Sequence, residues 1–413
     1  MKAEILAVGT ELLMGQIANT NAQYISSRLP DAGIGVYFHD VVGDNPERLR
    51  QSFSLALSRS DVIILTGGLG PTQDDITKET VSEVLGRKLV LDRESVEQLE
   101  EFFRKRNRKM TRNNLKQAYF PEGCRIIRNR NGTAPGCIIE EEGRTIVLLP
   151  GPPSELKPMF EETVMPYLAS KADHRLESVY VRIFGIGEAE VETALMDLID
   201  GQTNPTIASY AKDGEVMLRI TARYQKDGTG TGLIGPMVDE IRKRLGDAVF
   251  STDNSSLAEV AAKLLMEKKM TISLAESCTG GLLAAKLTDI PGISAVFDRS
   301  AVTYSNRAKV EELGVRQETL EKYGAVSEQT ASEMAIGIRN VSGTDLGVSV
   351  TGIAGPGGGT DEKPVGLVFT ALAHKDGVIV KRLDLTGDRA RIRNLTCLHV
   401  FDMVRRHLLS IGK

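Results

Sequence analysis

The chain has 413 residues, of which 41% are hydrophobic and 26% are charged, and its formal net charge is −4. This length exceeds that of one typical domain of about 100–200 residues, so two or three domains are expected. Because binding to nucleic acid depends on neutralising phosphates, the acidic balance argues against a protein that coats DNA or RNA. The four cysteines are widely spaced and form no CxxC pair, which disfavours a zinc site and a disulfide framework and favours a reduced, cytoplasmic setting. No run approaches the ~20 apolar residues that span a bilayer, so no membrane partner is expected.

Residues 1–168 alternate strand and helix patterns, which predicts an α/β domain with a parallel sheet. The apolar runs in "AEILAVGT", "DVIILTGG" and "RTIVLLPG" show almost no alternation, as expected for strands buried on both faces. Helices are predicted around "NTNAQYISSRLPDAG", over "NPERLRQSFSLALSRS" and from about Asp75. The mixed charges of "RESVEQLEEFFRKRNRKM" indicate a solvated helix face.

Residues 172–250 have the pattern of a small α+β domain. It contains the strand "SVYVRIFG", the helix "GEAEVETALMDLI", a hairpin that turns at Asp213–Gly214, and the helix "GPMVDEIRKRL". The segment "STDNSS" then serves as the linker to a third domain, residues 255–413. Ser256 and Glu259 have capping-box spacing and predict the first helix of that α/β domain.

The third domain contains the stretch "MTISLAESCTGGLLAAKLTDI", an apolar run followed by a small polar turn and a helical run. A strand to about Leu274 and a helix from near Thr279 would place Ser277 in the turn between them. Unpaired N–H groups at such a helix start favour an anion or a developing oxyanion, and Gly280 and Gly281 would let a ligand approach the backbone.

A simpler interpretation of the same stretch is structural. Ser277 or Thr279 would cap the helix, Cys278 would be a small buried residue, and the two glycines would permit close packing. Residue pattern alone leaves both interpretations open.

A serine nucleophile needs a base, and none of the five histidines lies in a motif-like loop, which disfavours a Ser-His-Asp triad. The stretch "AVTYSNRAKVEELGV" offers Tyr304 and Lys309 for a Ser-Lys or a Ser-Tyr-Lys arrangement. The alternative is a strand and then a helix capped by Ser305 or Asn306 and ended at Gly314, with Lys309 merely exposed.

Two further stretches suggest phosphate binding in the third domain. "LGVSVTGIAGPGGG" predicts a buried strand that delivers Thr351 to a glycine-rich loop, Gly352 to Gly359, although the loop lacks the GKS/T ending of a P-loop. "TGDRARIRNLT" places three guanidinium groups near a helix start, where they could clamp a phosphate: Arg389, Arg391 and Arg393.

In the first domain, "TGGLGPTQDD" follows a buried strand and precedes a helix, which is where open α/β sheets bind ligands. Asp74 and Asp75 could coordinate a divalent metal through hard oxygen atoms. The alternative is that Thr72 and Asp75 form a capping box.

Five stretches of the third domain together resemble the C-terminal domain of the CinA family, whose members deamidate nicotinamide mononucleotide: "AESCTGGLLAA", "YSNRAK", "GAVSEQTASEMA", "VTGIAGPGG" and "GDRARIR". The resemblance implies that Ser277 attacks the carboxamide, with Tyr304, Lys309 and Thr351 around it. The products would be nicotinate mononucleotide and ammonia, and no cofactor is needed. The implied substrate-binding residues are Thr279, Gly280, Gly281, Gly352, Gly355, Arg391 and Arg393.

The first domain resembles the molybdopterin-binding fold and the N-terminal domain of full-length CinA proteins, through "VGTELLMGQIANTNAQYI", "ILTGGLGPTQDDITKET", "NRNGTAPGCII" and "LLPGPPSELKPMF". The middle stretches "FGIGEAEVE" and "GEVMLRITA" match that family's linking domain. The resemblance implies an ADP-ribose pyrophosphatase that depends on Mg²⁺ or a similar metal and yields AMP and ribose 5-phosphate. The implied metal ligands are Asp44, Asp74 and Asp75, and the implied substrate-binding residues are Gly67, Gly68, Gly70 and Thr72.

The expected protein is therefore a cytoplasmic, homodimeric enzyme with two activities on small phosphorylated ribosides, and without direct nucleic-acid binding. Two alternatives remain from the sequence. The first domain could be a pterin- or nucleotide-binding module without hydrolase activity, or the chain could be an accessory factor in DNA uptake or repair.

Overall fold

The computed structural model describes residues 1–172, 174–212, 214–225, 228 and 230–411. The chain divides into two compact units, Met1–Ser178 with Ala222–Gly232, and Val179–Thr221 with Leu233–Lys413. The α/β class is confirmed in both units. Asp213 of the predicted hairpin turn lies outside the described residues. Within the described part of the chain, no helix has the length and apolar character required to cross a membrane.

The N-terminal region is built on a six-stranded sheet with strand order β2-β1-β3-β8-β7-β6 and a separate pair, β4-β5. Strands β2, β1, β3 and β8 are parallel to one another. Strand β7 is antiparallel to β8, and β6 is antiparallel to β7. The strands are β1 (Lys2–Val8), β2 (Gly35–Val42), β3 (Val62–Thr66), β4 (Leu89–Leu91), β5 (Tyr119–Pro121), β6 (Arg125–Ile127), β7 (Gly136–Glu141) and β8 (Arg144–Leu149).

The sheet is thus mixed rather than wholly parallel as the sequence analysis expected. Glu142 and Gly143 join β7 to β8, and their φ values of 47° and 81° form a tight hairpin. Two strands joined by such a short turn pair in antiparallel fashion, because a parallel pair needs a long crossover connection.

Helices cover both faces of this sheet. Ile5 and Ile64 belong to one buried cluster, and Leu6 and Leu65 belong to the other, because successive side chains of a strand point to opposite faces. The helix predicted from about Asp75 begins two residues later. The helices are α1 (Thr10–Leu13), α2 (Thr20–Arg28), α3 (Pro46–Arg59), α4 (Thr77–Val84), α5 (Arg93–Lys105), α6 (Pro153–Met159) and α7 (Met165–Lys171), with a π-helical turn over Phe160–Val164.

The middle region contains a four-stranded sheet with order β10-β11-β9-β12 and two helices. The expected strand, helix, hairpin and second helix are all present, so the predicted α+β character is confirmed. The elements are β9 (His174–Phe184), α8 (Glu188–Asp200), β10 (Thr206–Lys212), β11 (Glu215–Gln225), α9 (Thr231–Leu245) and β12 (Val249–Ser251).

The C-terminal region contains a five-stranded sheet with order β14-β13-β15-β16-β17. Strands β14, β13 and β15 are parallel, β16 is antiparallel to β15, and β17 is antiparallel to β16. The strands are β13 (Ile272–Glu276), β14 (Phe297–Val302), β15 (Leu346–Gly352), β16 (Leu367–His374) and β17 (Gly377–Asp384). The helices are α10 (Leu257–Lys268), α11 (Leu282–Thr288), α12 (Asn306–Leu313), α13 (Gln317–Tyr323), α14 (Glu328–Ser342) and α15 (Arg389–Ser410).

Strand β13 lies inside this sheet, between β14 and β15, and the Ser277 turn follows its end. Leu274 packs in the cluster formed with α10, α11 and α15, whereas Ala275 packs with α12 and α14 on the other face. The predicted capping box of Ser256 and Glu259 is present at the start of α10. Because β13 is buried on both faces, the position of the residue that follows it is tightly determined.

Candidate active sites

The carboxyl ends of β13 and β14 bring Ser277 and Lys309 together. Ser277 follows β13 directly, and Lys309 lies in α12, the helix after β14. The Nζ of Lys309 is 3.2 Å from the Oγ of Ser277, and it also donates to the carbonyl oxygen of Thr303 at 2.7 Å. Ser277 is 8% exposed and Lys309 is 1% exposed. The alternative interpretation, with Lys309 merely exposed, is therefore wrong, and Ser277 and Lys309 have the spacing of a Ser-Lys pair.

The protonation of Lys309 is governed by its burial. Burial penalises the ammonium form and lowers the pKa of Lys309 from its ordinary value of 10.5, while the nearby Cys278 acts weakly in the opposite direction. No carboxylate forms an ion pair with Lys309 among the described residues. A neutral lysine amine next to a hydroxyl can accept its proton, which is the chemistry of a serine nucleophile activated by lysine.

Cys278 matches the simpler interpretation of its position. It is 5% exposed, and burial raises the pKa of its thiol to about 11. The nucleophilic form of cysteine is the thiolate, which is scarce at neutral pH when the pKa is this high. Cys278 is thus an inert packing residue beside Ser277.

The start of α11 differs from the expectation. The helix begins at Leu282 rather than near Thr279, because Gly280 and Gly281 have φ values of 58° and 90° and form a turn first. The carboxylate of Glu276 accepts hydrogen bonds from the backbone N–H groups of Gly281 at 2.9 Å, Leu283 at 3.1 Å and Ala284 at 2.9 Å. These helix-start donors are therefore occupied by the protein itself.

Two backbone donors next to Ser277 stay available. Within the described residues, the amides of Cys278 and Thr279 have no hydrogen-bond acceptor, whereas the amide of Ser277 donates to the carbonyl of Val350 at 3.0 Å. Thr279 is fully buried, and its Oγ1 has no partner in the described part of the chain. Any oxyanion stabilisation at Ser277 must come from this turn and not from the first turn of α11.

Tyr304 lies at the site but not between Ser277 and Lys309. Its side chain is 61% exposed, and its hydroxyl lies 3.0 Å from Nη2 of Arg389. Nη1 of the same guanidinium donates to the carbonyl of Gly355 at 2.7 Å. Arg389 therefore links the end of β14 to the glycine-rich loop after β15. Because the hydroxyl of Tyr304 is bonded to Arg389, the direct contact between Ser277 and Lys309 is favoured over a Ser-Tyr-Lys relay.

The other two arginines near the start of α15, Arg391 and Arg393, have different surroundings. Arg393 donates to the carbonyl of Thr279 at 2.5 Å and so holds the Ser277 turn. Arg391 instead lines a different cavity, together with Lys286. The structure thus places Arg391 and Arg393 in different surroundings, and the expectation that both bind one substrate stays a prediction. Arg389 is the arginine that lies with Arg393 on the Ser277 side of α15.

Thr351 and Gly352 end β15 beside the Ser277 turn. Thr351 is 1% exposed, and its Oγ1 donates to the carbonyl of Ala325 at 2.7 Å. A Cβ added at Gly352 would lie 2.6 Å from Cγ2 of Val368, so this glycine permits the close approach of β16. The hydroxyl of Thr351 is thus bonded within the fold, and the catalytic role expected of it stays a prediction.

The N-terminal region has its own cleft of about 430 Å³ at the carboxyl ends of its parallel strands. It is lined by residues that follow β1, β2, β3 and β8, as expected for an open α/β sheet. The predicted residues of this region all line it: Asp44, Gly67, Gly68, Gly70, Thr72, Asp74 and Asp75.

The carboxylates of this cleft have different tasks. Asp75 accepts hydrogen bonds from both the amide and the hydroxyl of Thr72, at 2.9 and 2.5 Å. Because α4 begins at Thr77 with Ile76 at its N-cap, the pair closes a turn before the helix and does not form the capping box that was the alternative. Asp44 accepts from the amide and hydroxyl of Thr10 at 3.0 and 2.8 Å. Asp74 has no hydrogen-bond partner within the described ranges.

The predicted three-carboxylate metal site is not assembled as such. In the described part of the chain, no group of three or more His, Cys, Asp or Glu side chains is placed to hold a metal ion. The donor chemistry still fits Mg²⁺, which commonly takes one or two carboxylates and completes its shell with substrate phosphates and water. Asp74 lines the cleft and its carboxylate has no hydrogen-bond partner in the described part of the chain, so its oxygen atoms are free to bind a ligand.

Three family models match successive parts of the chain. The probable molybdopterin binding domain matches residues 4–170, the damage-inducible protein CinA KH domain matches 178–251, and the CinA C-terminal domain matches 254–408. A putative competence-damage inducible protein of Acetivibrio thermocellus is 60% identical over 411 residues, with 100% of both chains covered. The chain belongs to the CinA family.

Other relatives match either the whole chain or one part of it. A CinA-like protein of Dictyoglomus turgidum is 54% identical over 411 residues and covers 100% of each chain. A crystal structure of a competence/damage inducible protein from Agrobacterium tumefaciens is 46% identical, covers 37% of this chain and 94% of that chain, and has a TM-score of 0.36.

Two residues of this CinA chain were not identified as site residues from sequence alone. Glu276 was not among the candidates, although a carboxylate just before a Ser-x-x-Gly-Gly turn is a usable signal for helix capping. Arg389 was noted as a candidate phosphate clamp but not selected. Its spacing of four residues from Arg393 puts both on one helix face, which was the available signal.

Proposed function

We propose that the C-terminal domain hydrolyses the carboxamide of nicotinamide mononucleotide to nicotinate mononucleotide and ammonia. The supporting observation is the 3.2 Å contact between the buried Nζ of Lys309 and the Oγ of Ser277. The identity of the substrate rests on the CinA family resemblance. This chemistry uses side chains and backbone amides of the protein together with water.

The reaction proceeds in two stages at Ser277. Lys309 takes the hydroxyl proton as Oγ forms a bond to the carboxamide carbon, and the resulting tetrahedral intermediate carries an oxyanion. Collapse breaks the C–N bond, and the proton from Lys309 leaves with ammonia, which gives an acyl-serine. Water, deprotonated by Lys309, then attacks the ester and releases the carboxylate product and the free serine.

The backbone and the arginines complete this site. The amides of Cys278 and Thr279 are the donors that can stabilise the oxyanion, and one such donor contributes about 2.7–4 kcal/mol in a well-studied hydrolase. Arg389 is positioned at the mouth of the site, where its guanidinium can bind the 5′-phosphate. Arg393 fixes the turn through the carbonyl of Thr279.

The direct test is ammonia release from nicotinamide mononucleotide by the wild type and by Ser277→Ala. We expect the alanine variant to lose nearly all turnover. Cys278→Ser is the matched control, because it changes the adjacent thiol and should keep most activity. Undiminished turnover in Ser277→Ala would refute the serine mechanism.

We further propose that the N-terminal domain hydrolyses the pyrophosphate of ADP-ribose to AMP and ribose 5-phosphate. The supporting observation is the 430 Å³ cleft, in which glycine-rich backbone and Asp74 meet at the carboxyl ends of the strands. Asp74 would hold a divalent metal, which would neutralise phosphate charge when bound. The backbone of Gly67 to Gly70 would orient the phosphates.

The measurement is AMP formation from ADP-ribose with Mg²⁺, with EDTA, and with Asp74→Asn. We expect activity only in the first condition. Asp361→Asn, which changes an exposed aspartate in the other compact unit, is the control. No AMP from the wild type in Mg²⁺ would favour a nucleotide- or pterin-binding module instead.

A further inference from the structure

The second compact unit contains a cavity of about 790 Å³ that is separate from the Ser277 site. Its walls are the β10–β11 hairpin, the start of α10, the end of α11 and the start of α15. Neither Ser277, Lys309 nor Tyr304 lines it. Its volume lies within the range of about 300–1,000 Å³ that is typical of small-molecule sites.

The first turn of α15 separates the two sites. Arg389 and Arg393 are four positions apart and contact Gly355 and Thr279, which belong to the Ser277 side. Arg391 lies between them in sequence and lines the cavity. The cavity is therefore a distinct space on the opposite side of this helical turn.

Most acidic side chains of the cavity wall are already used by the protein. Glu259 accepts the backbone N–H of Ser256 at 2.7 Å, and Asp388 accepts that of Arg391 at 2.7 Å. Asp289 also lines the cavity. Of the four carboxylates of the wall, Glu259 and Asp388 are thus helix caps, and the fourth, Glu215, pairs with Arg182.

Two lysines of the wall are not used in this way. The side-chain ammonium groups of Lys212 on the hairpin and Lys286 near the end of α11 form no ion pair or hydrogen bond with any described residue. Both line the cavity. An anionic group, and a phosphate in particular, would complement these two cations.

The wall also contains an incompletely bonded carboxylate. Glu215 is 8% exposed, and one of its oxygens pairs with Arg182 at 2.5 Å. Its other oxygen, Oε1, is buried and has no hydrogen-bond partner in the described ranges. A buried acceptor without a partner costs about 1–3 kcal/mol, so a ligand hydroxyl that donates to it would be stabilised.

We propose that this cavity binds a phosphorylated riboside as a second ligand site. The phosphate lies with Lys212 and Lys286, and a ribose hydroxyl donates to Glu215. The apolar wall formed by Leu257, Leu395 and Phe401 receives the base. A riboside combines the charge, the hydroxyl donors and the apolar ring that these three parts of the wall require.

The test is calorimetric titration of the full chain with AMP as the probe, and with adenosine and inorganic phosphate as matched partial ligands. We expect Lys286→Ala and Lys212→Ala each to raise the Kd of AMP for one class of site by at least about tenfold. Lys263→Ala, which removes an exposed lysine outside the cavity, should leave the isotherm unchanged. Adenosine and phosphate alone should bind more weakly than AMP.

The rate of deamidation of nicotinamide mononucleotide tells binding in this cavity apart from an effect on the Ser277 site. KM and kcat of the two lysine variants should stay within about twofold of the wild type, since neither side chain lines the Ser277 site. An unchanged AMP isotherm in both variants would overturn the proposal. So would equally tight binding of adenosine, or a KM that rises in parallel with the loss of AMP affinity.

Discussion

Lys309 determines how the Ser277 site depends on pH. Proton acceptance requires the neutral amine, and burial lowers the pKa of Lys309 from 10.5, so the neutral form appears at lower pH than in a free lysine. We expect kcat/KM to rise with pH until the pH exceeds this lowered pKa and then to level off. The measurement is ammonia release as a function of pH. Lys309→Met should remove the rise and reduce kcat by about 10²–10⁴-fold.

Lys322→Met is the control for this substitution, because Lys322 is exposed on α13. It should reproduce the wild-type profile. A rise with pH that persists in Lys309→Met would assign the base to another group.

Glu276 is the residue that holds the nucleophile turn in place. It is fully buried and accepts three backbone N–H groups, together with the hydroxyl of Ser300 at 3.1 Å. In Glu276→Gln an amide NH₂ replaces one acceptor and faces donors. We expect a loss of about 1.5–3 kcal/mol in the free energy of unfolding, measured by urea denaturation.

The control for Glu276 is Glu318→Gln, a change of an exposed carboxylate in the first turn of α13. Exposed charges near a helix start contribute only about 0.3–1 kcal/mol. Equal stability of the two variants would show that the hydrogen bonds of Glu276 contribute no more to the free energy of unfolding than an exposed carboxylate does.

At the scale of elements, the turn before α11 requires glycine for its conformation. Gly281 has a φ of 90°, yet a Cβ there would meet only Cγ2 of Val302 at 3.8 Å. The cost of Gly281→Ala is therefore backbone strain, about 1–2 kcal/mol, rather than a clash. Gly357→Ala is the control, since no atom lies within 4 Å of a Cβ there and its φ is not in the left-handed region. Thermal unfolding of both variants measures the difference.

The periodicity of α15 determines which of its first arginines lie on the same helix face. Arg389 and Arg393 are four residues apart and share a face, whereas Arg391 is two residues from each and lies on another face. Once α15 is predicted to begin near Asp388, this separation follows from the sequence. Which face contacts Ser277 does not follow, because it depends on how α15 packs against α10 and α11.

The contact of Ser277 with Lys309 could be anticipated in outline. Both residues follow strands that are parallel neighbours, so both lie at the same edge of the sheet. The burial of Lys309 could not be read from "YSNRAK", because it depends on the strand ends that surround α12. The same limit applies to Glu276, whose three acceptor bonds depend on where the turn lets α11 begin.

At the scale of the whole molecule, the two proposed sites follow one rule of α/β architecture. The N-terminal cleft lies at the carboxyl ends of β1, β3 and β8, and the Ser277 site lies at those of β13, β14 and β15. This location was predictable from the strand-helix alternation. The apolar runs do not show that β7 is antiparallel to β8 after a two-residue turn, or that β16 is antiparallel to β15 after the longer glycine-rich segment 353–366.

The two sites lie in different compact units, with Asp74 in the first and Ser277 in the second. Their proposed chemistries also differ, since one depends on a divalent metal and the other on a lysine amine. We therefore expect EDTA and Asp74→Asn to abolish AMP formation while ammonia release stays within about twofold of the wild type, because no metal-dependent step involves Ser277. Ser277→Ala should give the reverse pattern. Both products can be measured in one reaction that contains ADP-ribose and nicotinamide mononucleotide, and parallel loss of both in either variant would mean that the sites are coupled.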